Sequence, residues 1–243
     1  MNREQTLEQL KKLKLAGMAA RYEAELSMPV HQQEDGHVLL ALMAQAEVEH
    51  RDYKKNERYF RASKLRYDAL PESVHCSAER GLTKEQFTGL LDGSYIRQHR
   101  NIMIHGATGC GKSYIACALG RNACLLGFRP LYFNMNRFLE LLDQSRIEGT
   151  YLKWLKQLDR YDVLIFDDFG LKPFSHDAKL ALLDILEDRQ GRGATIFTSQ
   201  LPFEKWHDCF QQPTIADAII DRLTASAHKI SLKGESWRAK KIK

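Results

Sequence analysis

Residues 101–113 read NIMIHGATGCGKS. A short apolar run, Ile102–Ile104, leads into G-x-x-x-x-G-K-S, from Gly106 to Ser113. The stretch that follows, about 112–126, has helical character. Strand, glycine-rich loop and helix in this order form the phosphate-binding Walker A arrangement. Gly106, Gly109 and Gly111 let the backbone curl until successive N–H groups face phosphate oxygens. The helix N-terminus adds partial positive charge. Lys112 reaches the β- and γ-phosphates, and the Ser113 hydroxyl suits Mg²⁺. The nucleotide-contacting set is therefore Gly106, Ala107, Thr108, Gly109, Cys110, Gly111, Lys112, Ser113 and Tyr114. A chance glycine-rich turn would lack the flanking strand and helix.

The pattern repeats outward from the loop. Apolar runs at 129–135, 162–168, 193–200 and 228–232 alternate with helical segments near 136–147, 176–190 and 214–227. Such alternation predicts an α/β domain with a parallel sheet covered by helices. The run Val163–Phe166 closes on Asp167 and Asp168. Alone, that ending could be a turn. Paired with the Walker A loop it reads as Walker B, with Asp167 holding Mg²⁺ and Asp168 polarising an attacking water. GATIFTSQ ends in Thr198, Ser199 and Gln200, which could position water or simply begin a polar turn. Arg222 has no carboxylate at i±3 or i±4. On charge pattern it reads as solvated or paired across helices, with an arginine finger as the rarer alternative.

Residues 1–75 read as helical. Thr6 with Gln9 predicts a capping box, with Leu7, Leu10, Leu13 and Ala20 following at helical spacing. Gly17 weakens that helix, and Pro29 marks a break. In the next helix, from about His37 to Arg66, Leu42, Ala46, Tyr53 and Phe60 fall near one line. Arg51, Lys54, Lys55, Arg58 and Arg61 fall opposite, as a stripe able to follow a phosphate backbone or to stay an ordinary solvated face. Pro71 marks the next boundary, and Thr83 with Gln86 caps a short helix.

Composition narrows the class. The 243 residues are 44% hydrophobic and 28% charged, which suits a globular chain. No apolar run is long enough to span a membrane, and the start has no signal-peptide core. Five cysteines without a C-x-x-C pair argue against a zinc or disulfide framework and for a reducing cytoplasm. No metal-binding histidine constellation is evident, which leaves nucleotide-bound Mg²⁺ as the expected metal. Charges balance over residues 1–228, so the net +5 lies in the last fifteen residues.

Taken together, GATGCGKS, LIFDDFG, TIFTSQLP, KWHD, ADAIIDRL and KGESWR, in this order, resemble the IstB-type helper ATPases of insertion sequences. Within the AAA+ superfamily these are similar to DnaC-type helicase loaders and DnaA-type initiators. The resemblance implies a five-stranded parallel sheet in order 5-1-4-3-2. It implies Gln200 as the sensor beside the γ-phosphate and Arg222 as an arginine finger acting on a neighbouring subunit. It also implies ATP hydrolysis and ATP-dependent assembly into a ring or helical filament on duplex DNA, in the service of a partner transposase. A DnaC-like helicase loader is the alternative, and a nucleotide-gated structural DNA-binding protein is a third reading. The expected layout is a helical DNA-binding and assembly domain at 1–75, an AAA+ core at 76–228, and a last strand with basic tail at 229–243. Two departures from the pattern stand out. Asp168 occupies the position where most AAA+ proteins have Glu, which predicts slow hydrolysis. The chain also ends too soon after Arg222 for a full C-terminal lid with a sensor-2 arginine, and Arg238 is the candidate substitute.

Overall fold

The structure is a computed structural model that describes residues 3–234 and Ser236. Arg238 and most of the basic tail lie outside the described residues. The chain divides into two compact units, Met1–Arg58 and Tyr59–Lys243.

The first unit is helical, with α1 (Arg3–Lys12), α2 (Ala16–Leu26) and most of α3 (Gly36–Ala62). Helix α1 begins ahead of the Thr6–Gln9 pair, which therefore lies inside the helix and not at its cap. Residues before Thr6 favour helix, and Glu4 in the first turn suits the helix dipole. Gly17 holds two helices together. A Cβ there would lie 2.2 Å from the Ala46 carbonyl oxygen of α3. The Gly17 N–H donates to Glu47 Oε2 at 2.8 Å, so a carboxylate from α3 satisfies the start of α2. The buried residues of α3 are Met43 and Glu47, whereas Leu42 and Tyr53 are exposed. The side that packs is thus rotated away from the apolar line and toward the basic stripe. Close backbone approach at Gly17, and not apolar area, selects it.

The second unit carries the sheet. Helices α4 (Lys84–Leu91) and α5 (Ser94–Arg97) precede β1 (Ile102–Gly106) and α6 (Lys112–Leu125). Then come β2 (Pro130–Asn134), α7 (Met135–Ile147), α8 (Tyr151–Leu158), β3 (Val163–Asp167) and α9 (His176–Arg189). The chain continues through β4 (Ala194–Ser199), α10 (Pro213–Thr224) and β5 (His228–Leu232). The expected capping box is present at α4, where Thr83 and Gln86 exchange hydrogen bonds. All five strands are parallel, in order β2-β3-β4-β1-β5, as the resemblance implied.

Both faces of the sheet are covered, and side chains alternate between two cores. Ile102, Ile104, Val163 and Ile165 face a core built with α4, α5 and α6. Met103, Leu164, Phe166 and Phe197 face one built with α7, α9 and α10. Across that second face Phe133, Phe166 and Phe197 stack on successive strands at 5.9 and 5.3 Å. Trp206 is fully buried beside Phe169 and donates from its indole N–H to the Leu201 carbonyl at 3.0 Å. This anchors the segment after β4. Helix α8 has no counterpart in the sequence reading. Its Leu155 is buried and Trp154 packs on Phe138 at 5.3 Å, which makes both core residues.

Residues 59–75 pack with the second unit, although the proline break assigned them to the first. Ala69 and Val74 belong to the core around β1. The Tyr132 N–H of edge strand β2 donates to the Ser63 carbonyl at 2.8 Å. No described helix is long and apolar enough to cross a membrane.

Candidate nucleotide-binding site

Strand β4 sits between β1 and β3, so the chain reverses its direction of winding there and leaves a crevice at the carboxyl ends of the strands. The three polar strand ends read from the sequence meet at this crevice. Gly111, at φ +96°, starts α6. That left-handed backbone favours glycine, and a Cβ on it would also press on Arg80 Nη2 at 2.5 Å. Lys112 is buried, and its ammonium donates to the carbonyls of Gly106 and Ala107 at 2.8 and 2.9 Å. The loop thus curls around its own lysine, which suits backbone N–H groups facing outward.

Asp167 is fully buried at the end of β3. Ser113 Oγ donates to its Oδ1 at 2.8 Å, and the Thr198 hydroxyl donates to the same oxygen. The Tyr132 hydroxyl donates to Oδ2 at 2.6 Å. Burial first, and then the Asp167 charge, push the Tyr132 phenol upward, so it remains a donor. Asp168 has left-handed backbone, φ +64°. Its N–H donates to Thr198 Oγ1 at 3.2 Å, and Asn134 Nδ2 donates to its Oδ2 at 3.3 Å.

The three polar residues at the end of β4 take different roles. Thr198 links the two aspartates. Ser199 turns away, donating to the Phe169 carbonyl at 2.7 Å, and is buried structure. Gln200 returns to the phosphate loop, where its Oε1 accepts from the Thr108 hydroxyl at 2.7 Å.

Thr108, Gly109, Gly111, Lys112, Ser113, Tyr114, Asp168 and Gln200 line a cleft of about 500 Å³ together with residues absent from the sequence reading as site residues, among them Arg66, Tyr67, His75 and Arg80, while Asp167 lies buried behind Ser113. Arg80 joins two walls of the cleft. One guanidinium nitrogen donates to the Cys110 carbonyl at 2.7 Å, and the other to the carbonyl of His75. Burial lowers its pKa. Only the tertiary fold brings the 66–80 segment to the loop, and no spacing rule announces it.

Arg222 does not line this cleft. It lies on α10, donates to the Ala218 carbonyl at 2.9 Å and pairs with Glu187 of α9. Within one chain this is the cross-helix pairing allowed by the charge pattern. Of the basic stripe, Arg51 donates to Glu47 at 2.7 Å, while Lys54, Arg58 and Arg61 are exposed and Lys55 is half-buried.

The motif implies a magnesium–nucleotide, and the residues present fit one. A buried carboxylate and a hydroxyl 2.8 Å apart are hard oxygen donors of the kind Mg²⁺ takes. The cleft has the volume of a small-molecule site.

A model of the IstB-like ATP binding protein family matches residues 8–243. The chain belongs to this family. An insertion sequence ATP-binding protein of Sinorhizobium fredii is 41% identical over 233 residues, covering 96% of this chain and 95% of its own length. Among solved structures, the DnaC helicase loader superposes with TM-score 0.55 at 18% identity, over 72% of this chain and 99% of its own. The replication initiator DnaA bound to AMPPCP and single-stranded DNA gives TM-score 0.58 at 15% identity, over 71% of this chain and 52% of its own. At these identities the two structures establish the fold, an AAA+ P-loop core. The IstB-like chain carries that core behind a helical N-terminal unit.

Proposed function

We propose that this IstB-like chain is an ATPase that assembles on duplex DNA and assists a transposase in choosing and joining its target. The reading rests above all on one observation. Lys112, Ser113, Asp168 and Gln200 line a single cleft at the ends of three neighbouring strands, with Asp167 buried behind it and bonded to Ser113.

In this reading the backbone N–H groups of 107–113 hold the α- and β-phosphates. Lys112 leaves its two carbonyls for the β- and γ-phosphates, a short movement of a flexible side chain. Ser113 and Asp167 would hold Mg²⁺, which supplies neutralisation of phosphate charge when bound. Asp168 orients the attacking water and accepts its proton, with Asn134 and the Thr198-bonded backbone fixing the carboxylate. Gln200, drawn toward the loop by Thr108, reports on the γ-phosphate. Arg222 releases Glu187 and enters a neighbouring subunit's cleft, where its charge stabilises the transition state. The N-terminal helices with Arg51, Lys54, Lys55, Arg58 and Arg61 carry DNA contact through phosphates, without base readout. ATP binding would favour assembly as a ring or filament, and hydrolysis would favour release.

The test is ATP turnover with and without duplex DNA. Wild type turns over faster with DNA. Lys112→Ala loses nucleotide binding. Asp168→Asn binds ATP and assembles without turnover. Arg222→Ala binds ATP without turnover, and mixing it with Lys112→Ala restores part of the activity, because each supplies what the other lacks. Undiminished turnover in Asp168→Asn, or no recovery on mixing, would remove the role given to that residue. Co-purification with a replicative helicase in place of a transposase would redirect the partner assignment toward the loader reading.

A further inference from the structure

The Walker B carboxylates face a positive charge that the motif does not require. Arg66 Nη1 lies 3.6 Å from Asp167 Oδ2 and 4.0 Å from Asp168 Oδ2. The residue lies beyond the end of α3, in a segment tied to edge strand β2 by the Ser63–Tyr132 backbone hydrogen bond. Its guanidinium also lies 5.3 Å over the Tyr67 ring. The side chain is 42% exposed, so its head reaches the buried carboxylate from the solvent side, and it lines the cleft.

The remaining partners of Asp167 are of another kind. Ser113, Tyr132 and Thr198 are neutral hydroxyls held by α6, β2 and β4. They satisfy lone pairs without cancelling the charge. Lys112 is turned to the loop carbonyls. At 3.6 and 4.0 Å the guanidinium is beyond hydrogen-bond distance of either carboxylate, so its hold on them is electrostatic and replaceable, and its hydrogen-bond partner here is the neutral Tyr132 hydroxyl. A cation resting loosely on the cleft side of the metal-holding carboxylates stands where a bound divalent ion, or its waters, would need room.

We propose that Arg66 is a tethered counter-ion for Asp167 and Asp168, displaced when magnesium–ATP binds, and that it therefore sets the magnesium concentration at which the site loads. Arg66 acts here as a positioning residue, through the carboxylates. The proposal rests on the cleft being the ATP site. Removing the tethered charge leaves the carboxylates more negative in the empty site and eases metal entry. Keeping a charge on a shorter head preserves most of the competition.

The experiment is a Mg²⁺ titration of the full chain with a fluorescent methylanthraniloyl-ATP at fixed concentration, repeated for Arg66→Ala, Arg66→Gln and Arg66→Lys. The midpoint falls about two- to fivefold in the Ala and Gln variants, the range expected for a half-exposed ion pair. It stays close to wild type in Lys. Binding in EDTA is unchanged among all four proteins. An unchanged midpoint in Ala and Gln overturns the proposal. A raised midpoint does too, and assigns Arg66 to phosphate instead. Should Ala fail to fold, as judged by a lost thermal transition, the Gln and Lys pair decides. If wild type shows no magnesium-dependent nucleotide binding, the ATP-site reading itself fails and this inference with it. That outcome is distinguishable from a wild type that responds to magnesium while the variants do not shift.

Discussion

Asp168 gives a backbone reason for a departure that looks chemical in the sequence. AAA+ proteins commonly carry glutamate at this position, and one fewer methylene shortens the reach to water. Yet the residue sits at φ +64°, where a Cβ crowds the backbone and where Asp and Asn are better tolerated than longer side chains. The short carboxylate also suits the 3.3 Å bond from Asn134. Asp168→Glu is therefore expected to lower stability by about 1 kcal/mol, read from urea unfolding, while Asp168→Asn unfolds close to wild type. Equal stability of Glu and Asp variants would show that the left-handed backbone relaxes at no cost. At the same scale, Asp167 and Ser113 were legible because their residue types follow a motif. Tyr132 was legible only as an apolar core residue. Its ring is indeed buried, but its hydroxyl ends on Asp167. A strand pattern reports which face a residue is on, not which atom its far end meets.

Elements show the same division. The strands follow from runs such as DVLIFDD because burial on both faces demands continuous apolar character. Thr83 and Gln86 mark the start of α4 because a capping box is a local interaction. The start of α1 was misplaced because the same residue types also occur inside helices. Helix α3 shows where local pattern gives way to packing. Leu42 and Tyr53 of its apolar line are exposed, and the edge carrying Ala46 and Glu47 packs on Gly17 of α2. Gly17→Ala would place a methyl against the Ala46 carbonyl and force the helices apart. We expect a loss of about 1–3 kcal/mol in the first unit, measured by urea unfolding followed by far-ultraviolet circular dichroism. An unchanged midpoint would mean that α2 and α3 need not touch.

On the scale of the whole molecule, the proposed DNA engagement would depend on several weak contacts acting together. If the five basic residues of α3 all meet phosphate, log affinity for duplex DNA falls with log salt at a slope of roughly −4 to −5. Lys54→Ala should reduce that slope by about one without changing sequence preference. A slope near zero would remove the stripe from the DNA-binding surface. Arg51 already contacts Glu47, which gives it a structural role besides any contact with DNA. The order of the strands was accessible through family resemblance. The seating of residues 59–75 on the larger unit was not, because a proline break in the chain does not say which side of the break packs with which body.

The amino-acid sequence alone determined the phosphate loop, the two aspartates, the alternation that makes a parallel α/β sheet, and the family. These are local: each depends on residue types at fixed separations along the chain, where hydrogen bonding and burial act at short range. Tertiary structure decided that Arg66 and Arg80 line the candidate nucleotide cleft, that Ser199 does not, that Arg222 pairs with Glu187 within its own chain, and which side of α3 packs. Each of these depends on residues distant in sequence meeting in space, where close packing and charge neutralisation, not periodicity, select the partner.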